Sequence, residues 1–317
     1  MISVVIPNWN GEQHLCECLE ALKNQTFQDF ELVFVDNGST DGSVEFVRNF
    51  WLAATIVELS DNLGFAAAVN HGIGAAQGEY ISLLNNDTCV SPYWLENLHR
   101  AIVENPDIMI FASMLVNYYD HRRIDSAGDG FNLWLGPYKI GEAALVENYQ
   151  TRRFIFGACG GAGCYKRELF DRIGMFDEDF FAYFEDVDFS FRANWLGFRC
   201  LLVPNAVVYH KVAATSGADR QRREMFDIMR RRNYAFLIVK NYPVSFLVQY
   251  LPVILIIHGI KLALNVCRCR FSVAFVTQWE ILKGIFRMLE KRRKIMMRRS
   301  ISNSEMKSRC TPDVAWD

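Results

Sequence analysis

Strand-like and helix-like segments alternate along the first 112 residues, and this alternation constrains the fold more than any other feature of the sequence. Short β-branched and aromatic runs predict strands, and segments with apolar residues at helical spacing follow them. The five predicted strands are 3–6, 31–35, 55–59, 80–84 and 108–112. Such an order predicts an α/β fold with a Rossmann-like, mainly parallel sheet, right-handed crossovers and flanking helices.

Two of the predicted strands end in an acidic residue. Asp36 follows the second strand, and Asp87 follows the fourth, just after polarity changes at Asn85. In open α/β sheets, ligands bind at the edge formed by the carboxyl ends of the strands. A carboxylate there suits a divalent cation that also holds phosphates. The alternative for Asp87 is a turn acid that caps the next helix.

A pair of acids, Glu185 and Asp186, lies in an aromatic-rich stretch near residues 176–189. A helix that begins there puts both acids in its first turn, where the helix dipole favours negative charge. The pair is therefore the first place to look for a general base. The i,i+4 spacing of Asp188 and Arg192 favours a surface ion pair.

Two further features are ambiguous on their own. The glycine-rich stretch 157–163 is typical either of close backbone approach to a ligand or of a tightly packed turn. His210 follows a predicted strand, and a lone histidine in that position is more often a satisfied polar residue than a metal ligand.

Composition and charge limit the classes of protein to consider. Hydrophobic residues make up 51% of the chain and charged residues 22%, which predicts a folded globular protein. Nine cysteines without a C-x-x-C pair predict reduced thiols, and no signal peptide is expected. Ten basic and two acidic residues lie between Lys283 and Arg309. An acidic body with a basic tail indicates surface binding and no nucleic-acid partner.

Seven motifs occur in an order that resembles a known enzyme family. In the first half they are Val4-Val-Ile-Pro-Asn-Trp-Asn-Gly, Val35-Asp-Asn-Gly-Ser-Thr-Asp-Gly-Ser, Asn62-Leu-Gly-Phe-Ala-Ala-Ala-Val-Asn and Leu84-Asn-Asn-Asp-Thr. The second half adds 161–183, Glu185-Asp-Val-Asp and Val208-Tyr-His. Over about residues 1–240 the series resembles family 2 inverting glycosyltransferases with a GT-A-type fold. The bacterial rhamnosyltransferases of surface-polysaccharide assembly are the most similar branch.

The resemblance implies a role for each matching residue. Donor binding would fall to Pro7, Asn8, Asn10, Asp36, Asn37, Asn62, Gly64, Asn70 and Asn86. Asp87 and His210 would hold Mg²⁺ or Mn²⁺, and an imidazole ligand favours Mn²⁺. Asn85 stands where the family's metal motif has its first acid. Asp186 would be the catalytic base, with Glu185 as an alternative base or as a group that orients the acceptor.

The chain is predicted to have three parts. Residues 1–240 would form the GT-A-type domain, with a nucleotide-binding half at 1–112 and an acceptor-binding and catalytic half at 113–240. Residues 241–300 would form amphipathic helices, and 301–317 would be disordered. Within 241–300, a stripe formed by Phe275, Trp279, Leu282, Phe286 and Leu289 opposes a basic face. It suits a membrane interface, with packing on the domain or on a second subunit as alternatives.

These observations predict an inverting glycosyltransferase on the cytoplasmic face of the cell membrane, in peripheral contact with it. The donor would be a dTDP- or UDP-sugar, with rhamnose as the first candidate, and the acceptor a saccharide or lipid-linked saccharide. A homo-oligomer is a further expectation. The alternative is a sugar-nucleotide or glycan-binding protein without catalytic activity, which the amide at Asn85 makes conceivable.

Overall fold

The computed structural model of the protein describes residues 1–211, 220–267 and 271–310. The strands in these ranges are β1 (Ile2–Asn8), β2 (Phe30–Asn37), β3 (Thr55–Leu59), β4 (Tyr80–Leu83), β5 (Thr88–Val90), β6 (Ile110–Asn117), β7 (Ile124–Ser126), β8 (Asp129–Asn132), β9 (Gly136–Lys139), β10 (Phe154–Ile155), β11 (Gly163–Lys166) and β12 (Cys200–His210). The α-helices are α1 (Glu12–Lys23), α2 (Ser43–Phe50), α3 (Phe65–Ala75), α4 (Trp94–Glu104), α5 (Arg167–Ile173), α6 (Glu185–Trp195), α7 (Arg220–Asn241), α8 (Val244–Cys267), α9 (Phe271–Arg298) and α10 (Asn303–Cys310).

The main sheet has the strand order β10-β12-β6-β11-β4-β1-β2-β3, with β5 and β7 paired to β12 and β6. Strands β3, β2, β1 and β4 are parallel neighbours, and β6 and β12 are parallel to each other. Strand β11 lies antiparallel between β4 and β6. The two predicted halves of the domain therefore share one sheet, and the prediction of a mainly parallel sheet with flanking helices is confirmed.

Helices cover both faces of this sheet, so its central strands are apolar on both sides. Along β1, Val5 packs into a cluster with Val69 of α3, whereas Val4 and Ile6 pack into a second cluster with Leu19 of α1. Each fully buried side chain of this size contributes about 1.5–3 kcal/mol. An apolar run that does not alternate with polar residues is expected for a parallel strand buried on both faces.

After β6 the chain makes an excursion through short antiparallel strands before it returns to the sheet. Strand β7 pairs with the end of β6, and β8 and β9 form a separate hairpin in which Asp129 is paired with Lys139. The strand–helix alternation of the sequence stops over residues 113–155, which predicts loops or short antiparallel strands, and the structure agrees. The excursion brings its acids to the carboxyl ends of β6 and β12.

One strand prediction is wrong in detail. The sequence suggests two short strands on either side of Pro204 and Asn205, but β12 is one strand with a register shift between Val203 and Val207. The irregularity accommodates the proline, which cannot donate a ladder hydrogen bond.

The C-terminal helices pack on the domain. Helix α9 lies against α7, and α10 buries Met306 and Cys310 in the cluster that contains Trp195 of α6. The prediction of disorder over 301–317 is therefore wrong for residues 301–310, because Met306 and Cys310 are buried in this cluster and Ile301 packs against it. Residues 311–317 lie outside the described residues. In the described part of the chain, no helix combines the length and the apolarity needed to cross a membrane.

Candidate active site

The carboxyl ends of β1, β2 and β4 bring several predicted donor-binding residues together. Asn86 Nδ2 donates to Asn8 Oδ1 at 2.6 Å, and Asn8 Nδ2 donates to Ser39 Oγ at 3.2 Å. Asp36 accepts a hydrogen bond from the Ser39 amide through Oδ2, whereas its buried Oδ1 has no hydrogen-bond partner among the described residues. A buried acceptor is costly when it is left unpaired, so Asp36 offers one oxygen to a ligand that donates.

The neighbouring loops are fixed by asparagine side chains. Asn37 Nδ2 donates to Asn62 Oδ1 at 3.0 Å, and the same oxygen accepts from the amide of Gly64 at 3.0 Å. Gly64 has φ +91°, and a Cβ there would lie 2.6 Å from the Phe181 ring, so glycine is required. On the other side of the edge, Asn10 Oδ1 accepts from the Thr40 amide at 2.8 Å.

Two predicted donor-binding residues have other surroundings. Pro7 lies within β1 and is paired with Val35 of β2, so it shapes the strand that ends at Asn8. Asn70 donates to Phe176 O and Glu178 Oε1, each at 2.9 Å, and accepts from the Phe176 amide. Its amide thus ties α3 to the loop before α6, and the structure does not bring it together with Asn8, Asp36 and Asn86.

The two predicted metal ligands face each other. His210 Nε2 lies 3.5 Å from Asp87 Oδ1, and His210 Nδ1 lies 2.8 Å from Asp125 Oδ2. Lys139 Nζ contacts the other oxygen of Asp125 at 2.6 Å. Burial lowers the pKa of His210, but contacts with the Asp125 and Asp87 carboxylates outweigh this effect and raise the pKa to about 9.

This donor set fits a divalent cation. One carboxylate oxygen and one imidazole nitrogen lie 3.5 Å apart, and a mixed oxygen and nitrogen set suits Mn²⁺ better than Mg²⁺. Asn85 supplies no carboxylate to this site. Its backbone amide donates a hydrogen bond to Gly161 O at 3.0 Å and so links the end of β4 to the glycine-rich turn.

Asp186 is held at the start of α6 by backbone donors. The amide of Gly160 donates to Oδ2 at 2.9 Å, and the amide of Val187 donates to Oδ1 at 2.8 Å. Burial raises the pKa of Asp186 above its usual value, while these two N–H groups oppose the shift. The glycine-rich turn therefore approaches both candidate centres, because Gly160 contacts Asp186 and Gly161 contacts Asn85.

Two buried acids, Glu185 and Asp129, lie near Asp186. Glu185 and Asp129 are both buried, and the Oε2 and Oδ2 atoms of these side chains have no hydrogen-bond partner in the described residues. Burial and the Asp186 carboxylate raise the pKa of both groups well above their usual values. Ligand atoms of Asp129, Cys159 and Asp186 lie within 4.8 Å of one another. Asp186 is only partly buried, whereas Glu185 and Asp129 are buried. Of these three acids, Asp186 is therefore the one that a substrate can reach most easily.

A strained turn precedes this helix. Phe181, Tyr183 and Phe184 have φ values of 62°, 71° and 69°, a region that costs a non-glycine residue about 1–3 kcal/mol. Asn233 of α7 holds the turn, with Nδ2 at 2.8 Å from the carbonyl oxygens of Phe180, Ala182 and Tyr183. The position of Glu185 and Asp186 thus depends on a residue nearly 50 positions away in the sequence.

The predicted surface ion pair between Asp188 and Arg192 is wrong, because both side chains are buried. Asp188 Oδ2 accepts from Arg192 Nε at 2.9 Å and from Lys240 Nζ at 2.7 Å. Lys240 also contacts Asp177, whose other oxygen contacts Lys291 of α9. The i,i+4 spacing is correct, but α7 and α9 cover this face of α6, which spacing within one helix does not reveal.

Four residues of the site have no counterpart among the predicted ones: Asp125, Asp129, Lys139 and Asn233. Asp125 and Asp129 flank the small residues Ser-Ala-Gly in an otherwise weakly patterned segment, and two acids so close to a predicted turn are the one available signal. Lys139 and Asn233 carry none, because their roles arise only from packing.

Solved structures with similar folds are glycosyltransferases of the GT-A type. GalNAc-T7, solved with UDP, GalNAc and Mn²⁺, has a TM-score of 0.60 at 16% identity, with 76% of this chain and 48% of that chain covered. The mannosyltransferase PcManGT from Pyrobaculum calidifontis, solved with GDP-Man and Mn²⁺, has a TM-score of 0.55 at 19% identity and covers 93% of this chain and 84% of its own. At these identities the likeness establishes the GT-A fold.

Sequence relatives agree with the fold. The glycosyltransferase GlyG of Streptococcus pneumoniae is 36% identical over 128 residues, which are 39% of this chain and 41% of GlyG. EpsH of Bacillus subtilis is 23% identical over 301 residues, or 93% of this chain and 81% of EpsH. The family model described as glycosyl transferase family 2 matches residues 3–174, which is more than half of the chain. With the GT-A sheet and the strand-end motifs, this match shows that the chain belongs to glycosyl transferase family 2.

Proposed function

We propose that the protein is an inverting, metal-dependent glycosyltransferase with Asp186 as its catalytic base. One observation carries the proposal: consecutive glycines of one turn contact the two candidate centres. The Gly160 amide binds the Asp186 carboxylate at 2.9 Å, and Gly161 O accepts from Asn85 at 3.0 Å, two residues before Asp87. This arrangement supports a base placed beside the bound diphosphate end of a sugar donor.

The proposed reaction is a single displacement. Asp186 takes the proton of an acceptor hydroxyl while that oxygen forms a bond to the anomeric carbon. The bond from the anomeric carbon to the diphosphate oxygen breaks on the opposite face, and the nucleoside diphosphate leaves with the electron pair. A placed general base of this kind contributes about 10²–10⁴-fold in rate. Glu185 is the second candidate, but its deeper burial favours a role in orienting the acceptor.

Asp87 and His210 would hold the cation. When bound, Mn²⁺ or Mg²⁺ would neutralise the charge that develops on the leaving diphosphate. With two protein ligands, the remaining positions are available to diphosphate oxygens and water, as is common for cations that bind with phosphates. Asp36, with one buried oxygen open to a donor, would accept a hydrogen bond from the nucleotide base.

The donor and acceptor follow from the resemblance. A dTDP-sugar, with rhamnose first, and a UDP-sugar are the two candidates for the donor. The acceptor would be a saccharide or lipid-linked saccharide in cell-surface polysaccharide synthesis. The partly exposed Asp186 and the excursion over 113–155 supply the surface on which such an acceptor would bind.

Peripheral contact with the inner face of the cell membrane is part of the proposal. The five stripe residues of α9, from Phe275 to Leu289, are between 43% and 79% exposed, so they are not packed on the domain. Lys283 and Arg287 lie between them and are also more than half exposed. Exposed aromatic side chains with exposed basic side chains beside the stripe favour an anionic bilayer as the partner.

The test is a thermal-shift screen of the purified protein with dTDP, UDP and GDP, each with Mn²⁺, Mg²⁺ or chelator. We expect stabilisation by one nucleotide that requires metal and disappears in Asp87→Ala. Asp186→Asn should retain this stabilisation and lose sugar transfer. A sugar-nucleotide-binding protein without catalysis would show the same stabilisation but no transfer in the wild type. No response to any nucleotide would contradict the transferase function and favour the glycan-binding alternative.

A further inference from the structure

We propose that Asp125 is a positioning residue for the cation site, acting through His210. The inference rests on the proposed function, because it concerns how the candidate ligand His210 is oriented. Asp125 lies on β7, a strand that the sequence resemblance leaves without a role. It is 5% exposed, so its contacts are made inside the protein.

Both oxygens of Asp125 are engaged. Oδ2 lies 2.8 Å from His210 Nδ1, and Oδ1 lies 2.6 Å from Lys139 Nζ. The lysine compensates the buried charge and fixes the plane of the carboxylate, which would otherwise be costly to bury. The carboxylate is therefore a rigid acceptor for one nitrogen of the imidazole.

This contact determines what the other nitrogen can do. Because Nδ1 is engaged by the Asp125 carboxylate, Nε2 is the ring nitrogen left for a cation, and Nε2 lies 3.5 Å from Asp87 Oδ1. A carboxylate behind a ligating histidine fixes its ring orientation and raises its basicity, and loss of such a partner costs about 10–100-fold in metal affinity. Asp125 thus compensates for a ligand set in which Asn85 supplies no carboxylate.

The sheet supplies the geometry. His210 is the last residue of β12 and is paired with Asn117 of β6. Strand β7, which carries Asp125, pairs antiparallel with the end of β6. Lys139 comes from the β8–β9 hairpin, where it is paired with Asp129 beside the candidate base. The same short excursion therefore supports both the cation site and the acids around Asp186.

The experiment is a titration of the full chain with Mn²⁺ in the presence of UDP, with free Mn²⁺ followed by electron paramagnetic resonance. Asp125→Asn keeps the shape of the side chain and removes its charge. We expect it to weaken Mn²⁺ binding by about 10–100-fold, as for other partners of ligating histidines. Asp120→Asn is the matched control, because it removes the same charge from a side chain that is 40% exposed and pairs with Arg122. It should leave the affinity within about twofold, as expected for a screened surface charge.

A double-mutant cycle shows whether Asp125 acts through the imidazole. In a His210→Gln background, the further loss caused by Asp125→Asn should disappear. An equal loss in both backgrounds, or an Asp125→Asn affinity within threefold of wild type, would overturn the inference. Thermal unfolding in chelator establishes that each variant is folded at the temperature of the titration. If wild type binds no Mn²⁺, or if Asp87→Ala binds it normally, the proposed cation site itself is wrong and the inference falls with it.

Discussion

The backbone amide of Gly160 donates a hydrogen bond to Asp186 Oδ2 at 2.9 Å. With the Val187 amide on the other oxygen, this contact fixes the plane of the carboxylate of the partly buried Asp186. Burial raises the pKa of Asp186 above its usual value of 3.8, and the two N–H groups limit the rise. The group that we propose as base is thus held in place by two backbone donors.

The first prediction concerns pH. Because a protonated Asp186 cannot take a proton from the acceptor, kcat/KM should fall in acid with a midpoint above 3.8. The profile is measured with whichever sugar nucleotide the screen identifies, and circular dichroism at each pH separates titration from unfolding. A midpoint at or below 3.8 would mean that Asp186 is not the group that limits the rate.

The second prediction concerns stability. Burial and the Asp186 charge raise the pKa of Glu185, so the folded state binds this proton more tightly than the unfolded state. Stability is therefore lost as pH rises from the usual value of 4.5 towards the raised one. Glu185→Gln should stabilise the protein at pH 8 by about 1–3 kcal/mol, and the gain should shrink towards pH 4.5.

Urea unfolding at several pH values measures this difference. Glu58→Gln is the control, because it removes an exposed carboxylate that pairs with Arg48 and should change stability by less than about 1 kcal/mol. A gain from Glu185→Gln that does not depend on pH would show that Glu185 is not a destabilising charge.

The third prediction concerns Asn233. Asn233→Leu keeps a side chain of similar size on α7 but removes the donor that lies 2.8 Å from three carbonyl oxygens of the strained turn. We expect a loss of about 1–3 kcal/mol in stability and at least a tenfold fall in kcat, with nucleotide binding unchanged. Asn97→Ala, which removes one exposed contact to Asn205 O, is the control. A kcat within twofold of wild type would contradict a positioning role.

The fourth prediction concerns the exposed stripe of α9. Replacing Trp279 and Phe286 by serine should reduce co-sedimentation with vesicles that contain anionic lipid by at least about tenfold, because each aromatic ring loses about 1.5–3 kcal/mol of burial. Leu52→Ser, at a side chain that is 92% exposed, is the matched control. Light scattering on the same samples decides the alternative: a wild-type dimer that the serine variant loses would identify a second copy as the partner.

The sequence predicts well those features that depend on local pattern. The order of strands and helices to residue 112, apart from the short strand β5, follows from hydrophobic period and polarity. So do the acids after β2 and β4 and the start of a helix at Glu185. Contacts between distant segments are different. Nothing in the spacing of Asp125 and His210 shows that β6 brings them together, 85 residues apart.

The errors have the same origin. Asp188 and Arg192 have the spacing of a surface pair, but Lys240 and Asn241 of α7 enclose them. Residues 301–310 are mostly polar, yet Met306 and Cys310 are buried in the cluster that contains Trp195. In each case tertiary packing outweighs what the local sequence indicates.

The hydrogen bonds from Asn233 to the turn before Asp186 limit where the chain can be truncated. The family match ends at residue 174, before the proposed base, the proposed imidazole ligand and the helix that holds the turn. A recombinant fragment that ends at residue 174 would retain the proposed donor-binding edge of the sheet but lack Asp186, the proposed base. A fragment that ends between α6 and α7 would keep Asp186 and lose its support. A chimera designed to change donor specificity should therefore exchange β1–β5 together. It should keep the chain from the glycine-rich turn through α9 intact.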